Sequence, residues 1–208
     1  MLEWFAANSD MLNLVANWAM VVIWIAYLQI FLRSFRRQTL PKIVINRAAG
    51  SSLRAACFVS NMSSDAIYIE SVIVKIETST ETVMCRITDF DAFDDHDESA
   101  DPKLRTYQGP LAPSQYTSLG KFDDIIAMVA RRKELDSERL KSAGGAIAIE
   151  ITIIADYASE DLLIGARRTL RAEWQGDHWR LGEETPYTEQ IRSRAERKRI
   201  SQMLAAID

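Results

Sequence analysis

The chain has 208 residues, of which 48% are hydrophobic and 26% are charged, and its formal net charge is −4. Acidic residues outnumber basic ones, which argues against a nucleic-acid-binding protein because that function needs a basic surface. Its two cysteines form no CxxC pair and have no Cys/His spacing typical of a zinc site.

Residues 11–32 contain no charged side chain. A helix rises about 1.5 Å per residue, so this run is long enough to cross the ~30 Å hydrocarbon core of a bilayer. The preceding residues include Glu3 and Asp10 but no lysine or arginine, and no small-residue cleavage pattern follows, which argues against a signal peptide. We therefore predict a short extracytoplasmic tail at 1–10 and a transmembrane helix at 11–32.

Basic residues follow the apolar run, and none precede it. Cytoplasmic flanks of membrane-spanning helices are enriched in lysine and arginine. A basic juxtamembrane segment at 33–42 therefore predicts a single-pass protein of the plasma (inner) membrane, with its N-terminus outside and its C-terminal domain in the cytoplasm. The residues expected to anchor this flank at the lipid bilayer are Arg33, Arg36, Arg37 and Lys42.

Polar and aromatic residues recur along the apolar run at intervals that place them on one helix face. These residues are Asn13, Asn17, Trp24 and Tyr27. Two interpretations stay open. The face contacts a helix of a protein partner or of a second copy, which would hydrogen-bond the amides. Alternatively, Asn13 and Asn17 lie near the outer headgroups and are hydrated.

Residues 43–181 are predicted to form one cytoplasmic domain. Segments 1–32, 33–42 and 187–208 carry net charges of −2, +4 and +2, which leaves −8 for residues 43–186. Alternation of apolar and polar residues predicts strands at 42–47, 53–60, 66–77, 82–88, 105–108, 116–119, 147–157 and 162–174. Strands of this number and length predict an antiparallel sandwich of the immunoglobulin-like kind.

Two details of these strands lead to further predictions. The apolar phase of 66–77 changes at Glu70 and Ser71, which predicts a bulge or a strand that switches sheets. Cys57 and Cys85 fall on the apolar faces of their strands. We therefore expect both thiols to be buried and reduced, as is usual in the cytoplasm.

A helical insert is predicted at about 121–142. Phe122, Ile125, Ile126 and Val129 have helical spacing, with acidic residues at the start and basic residues at the end. Two roles stay open for this helix, because it can cover a sheet edge or serve as a docking surface.

An acidic segment lies between two of the predicted strands. Its candidate cation ligands are Asp89, Asp91, Asp94, Asp95 and Asp97. The spacing begins like an EF-hand loop but lacks the glycine at the sixth position and the glutamate at the twelfth, so we expect a solvated loop. His96 and His178 stand in no motif of nucleophilic catalysis. We predict no catalytic residue, no resident metal and no cofactor.

Residues 186–208 are predicted to form a basic amphipathic helix, with Ile191 at the start of its apolar stripe. The candidate contact residues are Arg192, Arg194, Arg197, Lys198, Arg199, Ile200, Met203 and Leu204. Three interpretations stay open. The helix lies on the anionic leaflet, pairs with a helix of a partner or second copy, or packs its apolar end on the sandwich.

These features predict a membrane-anchored scaffold or accessory protein that presents a cytoplasmic β-sandwich to membrane-associated partners. One alternative is a membrane-tethered, metal-dependent hydrolase that uses the acidic segment. Another is an accessory subunit of a channel or transporter complex, which would use the Asn13 and Asn17 face.

Overall fold

A computed structural model describes residues 8–88, 106–136, 145–157 and 162–206. The chain divides into two compact units, Met1–Leu40 and Pro41–Asp208. The first unit contains helix α1, Ser9–Thr39. In the described part of the chain, this is the one helix long and apolar enough to cross a membrane, with a mean hydropathy of 1.9 and no burial of its most apolar window.

The apolar helix predicted at 11–32 is therefore confirmed, but its bounds are wider. It continues for two turns past the apolar run, so the backbone at Arg33, Arg36 and Arg37 is helical. No glycine or proline interrupts the chain between the apolar run and Pro41.

The second unit is built mainly from β-strands. Its described elements in chain order are β1 (Ile43–Ala48), β2 (Ala56–Asn61), β3 (Ile67–Glu77), β4 (Thr82–Ile87), β5 (Gly109–Leu111), β6 (Tyr116–Lys121), α2 (Phe122–Arg132), β7 (Ala146–Tyr157), β8 (Ile164–Trp174), β9 (Trp179–Glu183), β10 (Glu189–Ile191) and α3 (Arg194–Ala206).

The strands form two sheets. The smaller has the order β1-β2-β6, and the larger has the order β10-β8-β7-β3-β4, with β5 also pairing with β3 and β9 with β8. All pairings between these described strands are antiparallel. The predicted two-sheet antiparallel architecture is thus confirmed, with one hydrophobic core built from both sheets.

β7 supplies the centre of this core. Ile147, Ile149 and Ile151 alternate along one face and are fully buried, as their period-two pattern predicts. The strand lies between β3 and β8, so both of its edges are hydrogen-bonded. Cys57 and Cys85 are free thiols buried in the same core, which agrees with the prediction for both residues.

The inner face of β8 becomes exposed at one end. Trp174 lies in the same phase as the buried Leu170 and Ala172, but it is 47% exposed. The strand there pairs with β9, and the ring of Trp174 meets that of Trp179 edge to face at 5.6 Å. An aromatic pair at the end of a hairpin can stay half exposed because each ring covers part of the other.

The bulge predicted in β3 is confirmed. The register between β3 and β7 shifts between Ile69 and Ser71. The carbonyl oxygen of Glu70, the bulged residue, accepts a hydrogen bond of 2.7 Å from Gln108 Nε2. Before the bulge β3 pairs with β5 and after it with β4, so the bulge lets one long strand serve two neighbours.

The strand predicted at 53–60 begins only at Ala56. Leu53 and Ala55 leave the strand path, and their carbonyl oxygens accept hydrogen bonds from the Asp123 and Phe122 amides at 2.9 and 3.1 Å. These two amides open α2, where backbone donors have no partner within the helix. Leu53 and Ala55 are therefore buried beneath the start of a helix and not within a sheet.

The strand predicted at 105–108 is wrong. Thr106 forms only an isolated bridge, Arg105 lies outside the described residues, and the strand is β5, Gly109–Leu111. Pro110 is tolerated because β5 is short and pairs with β3 along one side, which leaves the missing N–H without consequence.

Helix α2 confirms the start of the predicted helical insert, and it contacts both β6 and β4. Its apolar face, which includes Phe122, Ile125, Ile126 and Val129, is buried between the two sheets. The helix ends at Arg132 and not near 142, because Glu134 adopts a left-handed φ of 55° and the Leu135 amide donates to the Ala130 carbonyl at 2.8 Å. Residues 137–144 lie outside the described ranges.

The predicted C-terminal helix starts later than expected. Residues 189–191 form β10 on the edge of β8, so the assignment of Ile191 to the helix is wrong. Helix α3 begins at Arg194 after Ser193, whose Oγ accepts from the Glu196 amide at 3.2 Å and donates to Glu196 Oε2 at 2.6 Å. This Ser-x-x-Glu pattern was available in the sequence as the signal for the helix start.

A second apolar cluster lies on the outer face of the larger sheet. It joins Ile73 of β3, Ile154 of β7, Ile191 of β10 and Ile200 of α3. Gly165 of β8 allows this approach, because a Cβ there would lie 3.1 Å from Ile191 Cδ1 and 3.3 Å from both Ile200 Cδ1 and the Ile153 carbonyl oxygen. The absence of a side chain at position 165 is what lets α3 pack on the sheet.

We predict that Gly165→Ala destabilises the domain by about 1–3 kcal/mol, the usual cost of overpacking. The measurement is urea unfolding of the full chain in detergent micelles, followed by tryptophan fluorescence. Gly182→Ala is the matched control, because its nearest neighbour, the Arg171 carbonyl oxygen, would be 3.7 Å away. Equal unfolding midpoints for the two variants would contradict the close packing of α3.

Candidate interaction surfaces

The polar face of α1 is fully accessible. Asn13, Asn17, Trp24 and Tyr27 are all exposed, and their spacing places them along one side of the helix. Within the described part of the chain, nothing buries these side chains. The face predicted for helix–helix contact therefore meets whatever surrounds α1, and its role in contact stays a prediction.

The basic flank is split between the two units. Arg33 is exposed on α1, while the side chains of Arg36 and Arg37 lie outside the described structure. The backbone of Lys42 is held in the second unit. Its amide donates to Ser63 Oγ at 2.9 Å, and its carbonyl accepts from the Met62 amide at 2.8 Å, while its side chain stays exposed.

Among the described strands β1 pairs only with β2, and the side chains of Thr188 and of Gln190 in β10 occupy its other edge. The Ile43 amide donates to Gln190 Oε1 at 3.0 Å, and Gln190 Nε2 donates to the Ile43 carbonyl at 2.6 Å. Thr188 Oγ1 repeats this exchange with the Ile45 amide and carbonyl, at 2.9 and 3.0 Å. The two side chains thus replace the ladder of a missing neighbour strand, which protects an edge that could otherwise pair with another chain.

Sequence reasoning missed these contacts because they join residues 143 and 147 positions apart. No local pattern marks Thr188 or Gln190 as edge-covering residues. The contacts also place β10, the last strand of the domain, beside Ile43, the first residue of β1.

Arg168 links the two sheets from within. Its side chain is 5% exposed, and Nη1 donates to the Ile45 carbonyl at 2.7 Å. Nη2 pairs with Glu183 Oε2 at 2.9 Å. A buried charge needs such partners, and removing one of them is strongly destabilising. The available signal was a charged residue in the buried phase of β8, between Ala166 and Leu170.

Cys57, a nucleophile by residue type, is held in an unreactive state. Burial raises the pKa of its thiol to about 12, and the positive charge of Arg168 opposes this only in part. The thiolate is the reactive form of cysteine. The site is therefore a packing position and not a candidate for nucleophilic chemistry.

The apolar side of helix α3 packs against the rest of the domain. Ile200 is buried, Leu204 packs against the outer cluster, and Arg197 donates to the carbonyl oxygens of Leu163, at 2.7 Å, and Leu162. Of the three interpretations of this helix, packing on the sandwich accounts for these residues. The side chain of Met203 lies outside the described structure.

The remaining basic residues of this segment point away from the sheet. Arg192, Arg194, Lys198 and Arg199 are all exposed. They stay available to a partner or to lipid, as the sequence predicts for them.

The outer face of the smaller sheet carries a charge at one end, where the exposed Lys121 pairs with Ala56. Away from that end, Phe58 and Tyr116 meet edge to face at 5.2 Å, and Tyr116 is 68% exposed. We call the part of this surface away from Lys121 the uncharged sheet face. Its outward residues are Val44, Asn46, Phe58, Ser60, Tyr116 and Ser118.

The outer face of the larger sheet has the opposite character beyond the α3 contact. Lys75 and Glu77 form an exposed ion pair of 2.9 Å, and Arg167 pairs with Glu189 at 2.8 Å. The hydrogen bond to Arg167 lowers the pKa of Glu189. Exposed pairs of this kind keep a sheet face hydrated and contribute little stability. The contrast makes the smaller sheet the candidate binding surface of the domain.

The candidate cation ligands Asp89, Asp91, Asp94, Asp95 and Asp97 lie outside the described residues, as does His96. Among the residues that are described, no group of three or more His, Cys, Asp or Glu side chains could hold a metal ion. His178 Nδ1 contacts Asp177 Oδ1 at 2.5 Å in an exposed turn, and this hydrogen bond lowers the pKa of Asp177. Such an exposed pair lacks the burial that tunes a catalytic base.

An open cavity of about 590 Å³ lies beside the β3 bulge. Its described lining residues carry no carboxylate, imidazole, thiol or cationic group. These residues are Tyr68, Ile69, Thr106, Tyr107, Gln108, Gly109, Pro110, Leu111 and Thr117.

Comparison with known proteins does not assign the chain to a family, since no family model, no curated protein and no solved structure matches it.

We predict that ionisation of Cys57 makes the domain less stable in alkaline solution. The unfolded thiol loses its proton near its ordinary pKa of 9.0, whereas the folded thiol keeps it up to about pH 12. Stability from this group is therefore complete below pH 9 and falls above it by about 1.4 kcal/mol per pH unit. Unfolding free energies of the full chain in micelles, measured across this range, should fall faster for the natural protein than for Cys57→Ala. Parallel pH profiles would contradict the assignment.

Proposed function

We propose that this chain is a single-pass protein of the plasma (inner) membrane that acts as a non-enzymatic scaffold or accessory protein. The observation that carries the proposal is α1, whose apolar stretch Ser9–Phe35 has no buried part and is attached to a separate, compact domain. An exposed apolar surface of this size is stable in a bilayer and not in water.

We propose that the domain lies on the cytoplasmic side of the membrane, on the basis of the charged flank of α1 and the state of the cysteines. Arg33, Arg36, Arg37 and Lys42 on the C-terminal side of the span support a cytoplasmic domain. Cys57 and Cys85 support the same side, since both are free thiols in the core. Unpaired cysteines are typical of the reducing cytoplasm.

We also propose that the domain is an immunoglobulin-like sandwich. The sheet β1-β2-β6 follows the order of immunoglobulin strands A, B and E, and β4-β3-β7-β8 follows that of C′, C, F and G. This order supports the assignment. β9 and β10 would then be additions along the last strand, where they support the edge of β1.

The proposed binding surface is the uncharged sheet face. Protein interfaces are enriched in Tyr and Phe and depleted of charged residues at their centre. In a segment with a net charge of −8, this face can meet another protein without removing ionised side chains from water. We propose that it docks an uncharged surface of a second membrane-associated protein, which Phe58 and Tyr116 would contact at the centre.

The anchor strengthens such binding by confinement. Residues 40–42 connect α1 to β1, and three residues reach at most about 11 Å. A domain joined to a membrane-spanning helix moves with it in the membrane plane, so its effective concentration toward other membrane-bound proteins is high. Because of this high effective concentration, moderate affinity of the uncharged sheet face for its partner is sufficient for a scaffold of this kind.

A photo-crosslinking residue at position 116 of the full chain, in its native membrane, tests the proposal. We predict a crosslink to a second protein that Ser118→Glu abolishes, because the added carboxylate would lose water at the interface. The matched control places the same crosslinker at Thr169, on the charged outer face of the larger sheet, where little product is expected.

Equal yields at the two positions, or a product that survives Ser118→Glu, would contradict the proposed surface. Alkaline carbonate extraction of the same membranes tests the anchor separately. The chain should remain in the pellet, and its release would contradict membrane spanning.

A further inference from the structure

Four cations on the C-terminal segment have no partner within the described part of the chain. Arg192, Arg194, Lys198 and Arg199 are exposed, and none makes an ion pair or a side-chain hydrogen bond there. We call these four side chains the basic patch. Because segment 43–186 has a net charge of −8, unpaired cations at this density suit an anionic ligand that lies outside the domain.

The helix geometry directs the basic patch outward. Arg194 and Lys198 are four residues apart and share one side of α3, and Arg199 lies next to them. Ile200 and Leu204 occupy the opposite side and pack on the sheet. Since the apolar side is already covered, α3 cannot insert into lipid as a free amphipathic helix would. The outward side of α3 can therefore bind a membrane only through the charges of its basic side chains.

The hydrogen bonds of β10 set the position of the basic patch in the domain. Gln190 exchanges two hydrogen bonds with the backbone of Ile43, at 3.0 and 2.6 Å. Arg192 follows Gln190 by two residues, so the patch begins beside the first strand residue of the domain. Ile43 is also where the chain arrives from α1 after residues 40–42.

We propose that the basic patch binds the anionic lipid headgroups of the membrane that holds α1, and thereby orients the domain on that membrane. The ligand groups are the phosphates and carboxylates of the leaflet surface. Basic side chains close to an anionic leaflet are attracted within a Debye length, and the acidic body is repelled. Both forces favour the orientation in which the patch faces the membrane. The inference rests on the proposed membrane anchoring.

The test uses the full chain in lipid nanodiscs of phosphatidylcholine, with or without phosphatidylglycerol. A fluorophore is attached at Gln202→Cys, which is exposed on the outward side of α3, while Cys57 and Cys85 are buried. A quencher on the lipid headgroups reports the approach of the helix. We expect quenching in anionic discs, little in neutral discs, and loss of the difference at high salt.

Two double variants, each replacing two basic residues by glutamate, compare the basic patch with another part of the surface. Lys198→Glu with Arg199→Glu should remove the quenching by anionic discs. Arg54→Glu with Arg180→Glu changes the net charge equally, at two exposed basic residues outside α3, and should retain it. Urea unfolding of both double variants verifies that the domain is folded.

Three results would overturn the inference. Equal quenching in neutral and anionic discs would exclude a charge-based lipid contact. Quenching that survives the Lys198 and Arg199 reversal would place the contact elsewhere. A signal that depends on two chains per disc and not on lipid charge would assign the patch to the acidic body of a second copy.

A separate experiment tests whether α1 anchors the chain in the membrane. Flotation with neutral vesicles after carbonate treatment measures insertion of α1 and does not involve the basic patch. A chain that floats but shows no lipid-charge dependence overturns only the inference about α3. A chain that does not float overturns the proposed function itself.

Discussion

The second unit depends on how the free edge of β1 is satisfied. Of the described strands only β2 pairs with this first strand, and the donors and acceptors of Ile43 and Ile45 on its other side bond to the side chains of Thr188 and Gln190. Unpaired backbone groups at a sheet edge are costly when buried and promote association when exposed. By meeting this requirement with side chains, β10 ties the start of the domain to its C-terminal segment.

Other features of the second unit are arranged around this contact between β1 and the C-terminal segment. On the same side of the sandwich, Arg168 joins β8 to the Ile45 carbonyl and to Glu183, while α2 fills the opening between β6 and β4 on the other. Because β10 lies against the edge of β8, α3 continues directly onto the outer face of the larger sheet, where Gly165 leaves room for it. The uncharged sheet face and the basic patch are what this arrangement leaves for contact with other molecules.

Local periodicity predicted much of this fold. The alternation in β7, the phase change at Glu70 and the helical spacing after Phe122 each reflect a pattern that a few neighbouring residues determine. Ile154, an apolar residue in the polar phase of β7, packs in the cluster with Ile200 of α3, which the alternation alone does not predict. The contacts between β1 and β10 had no such signal, because Thr188 and Gln190 are ordinary polar residues until the fold brings them to the edge. The candidate metal ligands at 89–97 lie outside the described residues, so their role stays a prediction.

Amide hydrogen exchange at Ile43 and Ile45 measures the central interaction directly. In the full chain in micelles, both amides should be protected, and Thr188→Val with Gln190→Leu should speed their exchange by about tenfold, the equivalent of one lost hydrogen bond each. The amides of Ile149 and Ile151, inside β7, should keep their protection. Unchanged exchange at Ile43 and Ile45 in the variant would contradict the account, because the C-terminal segment would then not close the domain.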